Sequence, residues 1–289
     1  MILVDTHIVP TQEKEIRIQE YAVGVFELCK TKSSLKKNIK KGLLKVDCEI
    51  CTTAKIICGG ETITLYQSEE KANQKKLKLD LEIIFEDDYL AIINKPAGIL
   101  VSGNKFKTIA NGLPQNLIPS SQSDAVNPQP VHRLDYPTTG LLLIGKTSTG
   151  ILALNKLFEN KEIQKEYIAV TIGKMESSGT IDFPIDDKKS SSRYEIIKTV
   201  SSERFEFLNL VKLFPKTGRR HQLRKHLSLI GNPILGDKEY GLENLILNSK
   251  GLYLHASRLQ FLHPITKKPI DIHNETPKKF RKIFTTENF

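Results

Sequence analysis

A carboxylate on a turn is the group in this sequence best placed to do chemistry. Asp135 lies in the run HRLDYPTTG, whose proline, threonines and glycine predict a tight turn, and the apolar strand 141–144 follows at once. A reacting group on a short turn beside a buried strand is held rigidly and stays accessible. Carboxylates serve as nucleophiles and as general bases. The pattern predicts a catalytic aspartate; the alternative is an aspartate that only caps its turn.

The residues around Asp135 and four further segments resemble one enzyme family. The HRLD run and the leucine run after it are similar to the signature of the RluA-type pseudouridine synthases. LEIIFEDDYLAIINKPAG, KEYIAVTIG, TGRRHQLRKHLSLIGNPILGDKEYG and LYLHASRLQFLHPITKKP match its other blocks in order, so the resemblance runs from about Leu81 to the end. Two features depart from the family. TTG stands where Thr-Ser-Gly is usual, and a short stretch at 186–194 argues against the usual RNA-facing loop.

This resemblance implies an enzyme that isomerises uridine in RNA to pseudouridine. The reaction breaks the N-glycosidic bond, turns the base over and closes a carbon–carbon bond, all without a cofactor. Asp135 would act at the ribose, either as a nucleophile on C1′ or as a base that lets a glycal form. The sequence leaves both routes open.

Two more catalytic residues follow from the resemblance. Arg224 would pair with Asp135 and keep it ionised in a cavity that excludes water. Tyr167 would stack on the extruded uracil, and its hydroxyl would assist removal of the C5 proton. The alternatives are a surface arginine that binds phosphate and a core tyrosine. Strand alternation over 165–172 places Tyr167 on a face that can line a cleft.

Helical periodicity organises the segment that carries Arg224. Gly218 and Gly231 bracket a predicted helix in which Arg220 lies one turn before Arg224. Three apolar residues of this segment are expected to face inward: Leu223, Leu227 and Ile230.

Uridine in folded RNA is stacked, so the enzyme must pull the nucleotide out and brace the gap. By resemblance, Arg133 and His132 lie where the base leaves, and His221 and Leu223 line the pocket. Without the family, His132 and His221 are ordinary buried or surface histidines. A metal site shared by His221 and His226 fails on spacing, because five residues along a helix do not place two imidazoles on one face.

The N-terminal segment predicts a small basic unit. Ser33 and Ser34 are expected to cap a helix that turns Leu35 and Ile39 inward and ends at Gly42. Its solvent-exposed face is expected to carry Lys36, Lys37, Lys40 and Lys41. Short strands are expected at 43–46, 54–58 and 62–66. This order, with the GGETI turn, resembles the S4 RNA-binding domain, and the alternative is an ordinary solvated lysine face.

The elements predict two domains and an α+β fold. A polar stretch at 68–78 is interpreted as a linker between an S4-like domain, 1–76, and a catalytic domain, 77–289. The resemblance implies the pseudouridine-synthase architecture, a mixed and largely antiparallel sheet flanked by helices. A long polar loop is expected over 102–130, where it would cover the site. A helix capped by Ser148 or Thr149 is expected after the central strand.

Composition favours a cytoplasmic protein with a polyanionic partner. The net charge of +10 arises from 43 basic and 33 acidic residues and favours a polyanionic partner. The resemblance implies that this partner is structured ribosomal or transfer RNA. No apolar run is long enough to span a bilayer and no signal peptide is predicted. We expect a monomer that needs no cofactor.

Cys48 and Cys51 have the spacing of half a zinc knuckle without its second half, so no metal is predicted. The cysteines are expected to be small buried hydrophobes.

Two rival functions fit the sequence less well than the isomerase. A non-catalytic RNA-binding protein would need only the basic helix, but Asp135, Tyr167 and Arg224 are all present. An aspartyl phosphotransferase would need a second carboxylate two residues after Asp135, where the chain has Pro137, and a glycine-rich phosphate loop before a helix, which is missing.

Overall fold

The structure is a computed structural model that describes residues 1–29, 31–67, 77–247 and 250–284. The chain divides into two compact units, Met1–Lys76 and Leu77–Phe289. The stretch interpreted as a linker lies almost wholly outside the described residues. None of the described helices is long and apolar enough to cross a membrane.

The N-terminal unit is a small antiparallel sheet with a helix. Its elements are β1 (Ile2–Ile8), β2 (Ile16–Arg17), α1 (Ile18–Tyr21), α2 (Lys32–Lys40), β3 (Leu44–Val46), β4 (Glu49–Ile50), β5 (Ile56–Ile57) and β6 (Thr62–Gln67). Four strands form one sheet in the order β1-β6-β3-β4, and β2 pairs with β5. The sequence interpretation missed β1, an exposed strand with little apolar alternation.

Helix α2 begins two residues earlier than the serine pair predicts. Thr31 is its N-cap, and its side chain accepts a hydrogen bond from the backbone N–H of Ser34 in a capping box. Leu35 and Ile39 are buried as predicted, and Gly42 ends the helix with φ +67°. The four lysines named above are exposed. The helix therefore presents a basic face to solvent.

The prediction that the cysteines are buried is wrong for two of the four. Cys29 and Cys51 are buried, but Cys48 and Cys58 are exposed, and all four are free thiols. Cys48 has φ +68° in the turn between β3 and β4, which keeps its side chain out of the core.

The second unit is built on a ten-stranded sheet. Its strands are β7 (Glu82–Glu86), β8 (Leu90–Lys95), β9 (Ala125–Pro130), β10 (Thr139–Thr147), β11 (Gln164–Ile172), β12 (Ser178–Ile181), β13 (Ser192–Ser202), β14 (Glu206–Pro215), β15 (Leu254–Leu262) and β16 (Pro269–His273). The order is β12-β13-β14-β11-β15-β10-β8-β7, with β16 on β15 and β9 on β10. The sheet is mixed and largely antiparallel, as predicted. Its helices are α3 (Ile109–Gly112), α4 (Ser148–Glu159), α5 (Gln222–Leu229) and α6 (Lys278–Arg281).

Strand β10 runs through the centre of this sheet and leads out of the Asp135 turn. Leu141 and Leu143 face one core cluster, while Leu142 and Ile144 face another. Because both faces are covered, the strand is a continuous apolar run rather than an alternating one.

The parallel pairing of β10 with β15 requires a glycine. Gly140 has φ +110°, and a Cβ there would lie 2.3 Å from the carbonyl oxygen and 2.6 Å from the nitrogen of Ala256. The main chains therefore approach too closely for any side chain, directly after the turn that carries Asp135.

The prediction of one long polar loop over 102–130 that covers the site is wrong in part. Helix α3 and strand β9 lie within it, and Ile109, Leu113 and Leu117 are buried in the core beside β8 and β10. Ile109 and Leu113 are four residues apart, about one helical turn, while Leu117 lies beyond the helical residues. The segment contributes to the core, and the cavity described below is lined by other residues.

Candidate active site

The Asp135 turn opens onto a cavity of about 1110 Å³. The wall is formed by the turn after β9, the start of β11, the facing ends of β13 and β14, and the segment 215–224. The side chain of Asp135 is 17% exposed. The carboxylate is therefore largely enclosed and still open to the cavity.

The side chain of Lys95 fixes the backbone of the turn that carries Asp135. Its buried ammonium donates hydrogen bonds to the carbonyl oxygens of Pro96 (3.0 Å), Tyr136 (3.3 Å) and Thr138 (2.8 Å). Burial lowers the pKa of Lys95 to about 8, and the charge of Asp135 opposes this shift. Our sequence reasoning missed Lys95; a lysine that ends an apolar strand just before a proline was the available signal.

Thr139 stands where the family usually has serine, and it keeps the hydroxyl group of that serine. The hydroxyl of Thr139 lies 2.8 Å from Nδ1 of the buried His255. Serine would offer the same hydroxyl, so the change retains the contact between β10 and β15.

Arg224 lies beside Asp135, but its direct partners are other carboxylates. Its Nη1 is 3.7 Å from Oδ2 of Asp135, beyond hydrogen-bond distance. Nε and Nη2 bind the buried Asp237 at 2.7 and 2.8 Å, and Nη2 also binds Glu239 at 3.1 Å. Burial lowers the pKa of Arg224, but the bonds to Asp237 and the nearby carboxylates outweigh it and raise the pKa. The guanidinium is thus a fixed charge that Asp237 orients.

His221 faces the other carboxylate oxygen of Asp135. Its Nε2 lies 3.8 Å from Oδ1. On the far side of the ring, Nδ1 lies 2.9 Å from the hydroxyl of Tyr240 and 3.3 Å from Glu239. His221 caps α5 in the left-handed conformation, φ +54°, which is uncommon for a residue with a side chain. The sequence interpretation named neither Glu239 nor Tyr240.

Tyr167 lines the same cavity from β11. A bulge between Glu166 and Tyr167 interrupts the pairing with β15 at this point. Burial, with a further contribution from the charge of Asp135, raises the pKa of Tyr167. The predicted roles of Tyr167 in stacking on the uracil and in assisting proton removal stay predictions.

His132 and Arg133 have different surroundings. Nε2 of His132 accepts a hydrogen bond from the backbone N–H of Leu143 at 2.9 Å, and burial and the charge of Lys165 lower its pKa to about 3. This ring is neutral and supports the strand. Arg133 is exposed at the cavity wall.

Two details of the α5 prediction are wrong. Leu223 and Leu227 are buried as predicted, but Ile230 is 40% exposed because the helix ends at Leu229. Arg220 precedes the first residue of the helix, so it does not lie one helical turn before Arg224.

The cavity wall is strongly basic. Besides the residues above, it includes Lys161, Lys165, Arg193, Lys216, Arg219 and Arg220, against the acidic Asp135 and Glu159. The guanidinium of Arg193 stacks on the ring of Phe214 at 3.9 Å. A basic wall with a stacked aromatic suits a nucleic-acid strand. Across the described ranges, no three His, Cys, Asp or Glu side chains are grouped to hold a metal ion.

Comparison with known proteins identifies the class that this site defines. Residues 89–229 match the family model described as RNA pseudouridylate synthase. A tRNA pseudouridine synthase C of Pasteurella multocida is 35% identical over 67% of this chain and 90% of that protein. The chain belongs to the RluA-type RNA pseudouridine synthases, the enzymes that isomerise uridine in RNA.

Other relatives agree with this assignment. A ribosomal large subunit pseudouridine synthase D of Nitrosomonas europaea is 31% identical over 81% of this chain and 74% of that protein. Among solved structures, human RNA pseudouridylate synthase domain containing 1 superposes with a TM-score of 0.58 at 22% identity, covering 68% of this chain and 84% of that one. The likeness confirms the predicted fold.

Proposed function

We propose that Asp135 carries the isomerisation, acting at the ribose of a uridine that enters the cavity. The observation behind this proposal is the position of its carboxylate, open to the cavity, with Arg224 at 3.7 Å from one oxygen and His221 at 3.8 Å from the other. Both distances exceed a hydrogen bond, so the oxygens stay free to react beside the positive charge of Arg224. The same arrangement suits a nucleophile and a base.

Extrusion of the nucleotide accounts for the residues around Asp135. Arg133 is exposed at the wall, where it can occupy the space that the base leaves in the RNA. Tyr167 offers an aromatic face for the uracil, and Leu223 an apolar one. His132 acts by holding the chain ahead of Asp135 against β10.

The RNA substrate is ribosomal or transfer RNA. The relatives named above act on both kinds, and the basic wall offers contacts to phosphates beside the target uridine. The N-terminal unit is an S4-like domain that adds contacts through Lys36, Lys37, Lys40 and Lys41, while 77–289 holds the catalytic machinery. The protein works as a cytoplasmic monomer.

Release of tritium from C5-labelled uridine tests the role of Asp135. Transcripts of ribosomal and transfer RNA are the substrates, and RNA binding is measured in parallel. Asp135→Asn should abolish release and leave binding within about threefold, because the amide keeps the shape and loses the reactive charge. The exposed Asp80, replaced in the same way, is the matched control. Normal turnover by Asp135→Asn would refute the proposal.

A further inference from the structure

Lys165 is a half-buried cation on the wall of the catalytic cavity. Its ammonium lies 5.9 Å from the centre of the Phe158 ring, and its charge reaches His132, whose pKa is lowered by burial and then by Lys165. Burial also lowers the pKa of Lys165 itself. Over the described ranges of the chain, no carboxylate and no carbonyl oxygen binds this ammonium. The charge is therefore partly removed from water without an anion to compensate it.

Three other lysines of this unit that are at least partly buried have oxygen acceptors. Lys95 donates to three carbonyl oxygens. Lys146 pairs with Glu86 at 2.7 Å, and Lys279 donates to a carbonyl oxygen at 2.7 Å. An ammonium taken out of water without such a partner destabilises the folded chain. The charge of Lys165 therefore lowers the stability of the free protein, and an anion brought by another molecule would offset this cost.

The position of Lys165 indicates which anion this is. His132, near the ammonium, lies three residues before Asp135, and Tyr167 lies two residues after Lys165 on β11. All four residues line one cavity. RNA carries a negative charge at every phosphate, so a strand whose uridine reaches Asp135 brings its neighbouring phosphates along this wall. A lysine binds a phosphate as a point charge, without a fixed geometry.

We propose that Lys165 binds a phosphate of the RNA strand directly beside the target uridine, an inference that rests on the proposed role of Asp135. His132 is neutral at physiological pH and adds no charge here. The phosphodiester has one negative charge, and it replaces the water that the ammonium loses in the folded protein. The stability that the free protein loses to this cation is thus recovered as affinity when RNA binds.

Single uncharged linkages in the RNA locate this contact. The probe is a synthetic stem–loop that contains the uridine modified in the tritium assay. One phosphate at a time, from two nucleotides before the target to two after it, is replaced by a methylphosphonate, which keeps the shape and has no charge. Each such RNA is compared with one that has the same 2′-O-methyl sugar and an ordinary phosphate. Affinity is measured for the wild type, Lys165→Met and Lys165→Arg.

The wild type should lose about 10- to 100-fold in affinity at one linkage, because a charge-assisted hydrogen bond is lost. Lys165→Met should bind the unmodified RNA more weakly by the same factor and show no further loss at that linkage. The slope of log K against log salt should fall by about 0.7–0.9 for Lys165→Met and stay unchanged for Lys165→Arg. Unchanged affinity of Lys165→Met, or equal linkage penalties in this variant and the wild type, would overturn the proposal.

The stability of the free protein separates this role from a structural one. Lys165→Met should unfold at an equal or higher urea concentration than the wild type, because an apolar side chain replaces an uncompensated charge. Lys146→Met is the matched control: it removes a buried lysine that has a partner, so it should lower the urea midpoint and leave RNA affinity within about threefold. Lys268→Met, at an exposed lysine outside the cavity, should change neither quantity. A lower midpoint of Lys165→Met together with unchanged affinity would show that Lys165 only supports the fold.

Asp135→Asn distinguishes a failure of this proposal from a failure of the proposed function. The comparison of linkages measures binding alone, so it holds whichever residue performs the chemistry. Asp135→Asn should show the same linkage penalties as the wild type and release no tritium. Tritium release by this variant would refute the role of Asp135, and the linkage penalties would still decide the role of Lys165.

Discussion

Single residues around Asp135 act by holding groups at fixed distances. Lys95 binds the carbonyl oxygens of the turn, and Asp237 binds the guanidinium that faces the carboxylate. None of these bonds occupies the carboxylate oxygens of Asp135. A site of this kind depends as much on the supporting residues as on the reacting one, because a small displacement of an oxygen reduces the rate steeply.

Asp237→Asn should reduce both turnover and stability. Removing one partner of a buried ion pair costs about 3–5 kcal/mol of unfolding free energy, and the freed guanidinium can then bind Asp135 directly. We expect about a 100-fold loss of kcat. Asp271→Asn is the control, because its pair with Arg258 is partly exposed and contributes about 0–1 kcal/mol. Urea unfolding and single-turnover assays measure both effects, and an active, equally stable Asp237→Asn would contradict this view.

The buried His255 should make stability depend on pH. Burial, and then the charge of Lys279, lowers its pKa from 6.5 to about 4. Above pH 6.5 the ring is neutral in both the folded and the unfolded chain. Between these values the unfolded chain binds a proton that the folded chain does not, so stability falls with decreasing pH, by up to about 3 kcal/mol. Urea titrations across this window should show a shallower dependence for His255→Asn, and an identical slope would contradict the assignment.

At the scale of elements, the meeting of β10 and β15 shapes the site. Gly140→Ala should unfold the catalytic unit or destabilise it by more than about 3 kcal/mol, because the new methyl group meets the main chain of Ala256. Gly103→Ala is a matched control: it also has positive φ, but nothing lies within 4 Å, so about 1–2 kcal/mol is expected. Thermal unfolding of both variants tests the difference. Equal effects would show that φ alone matters.

Elements with strong local signals were predictable from the sequence. The apolar run of β10, the helix after it and the buried positions Leu35 and Ile39 follow from periodicity. The cap predicted for the helix after β10 is wrong, because Thr147 caps it rather than Ser148 or Thr149. Strand β9 and helix α3 were not predicted, because proline and polar residues dominate that segment and its burial depends on distant strands. Asp237 was missed for a similar reason: its role appears only where its loop meets Arg224.

At the scale of the whole molecule, the contribution of the net charge of +10 to RNA binding depends on where the basic residues lie. Replacing Lys36, Lys37, Lys40 and Lys41 by alanine should weaken RNA binding and reduce the salt dependence of log K by about 0.7–0.9 for each phosphate that is no longer neutralised. Replacing the same four by arginine keeps the charge and should preserve the slope. Turnover at saturating RNA should be unaffected in both. An unchanged slope in the alanine variant would show that this face does not bind phosphate.

The central place of β15 has a consequence for biosynthesis. This strand, Leu254–Leu262, lies between β10 and β11, both of which leave the ribosome long before it does. Until it inserts, β11 and the start of β10 each have an unpaired edge, which invites aggregation. The nascent enzyme therefore acquires its active centre only late in translation, since Thr139 cannot meet His255 until that strand has emerged.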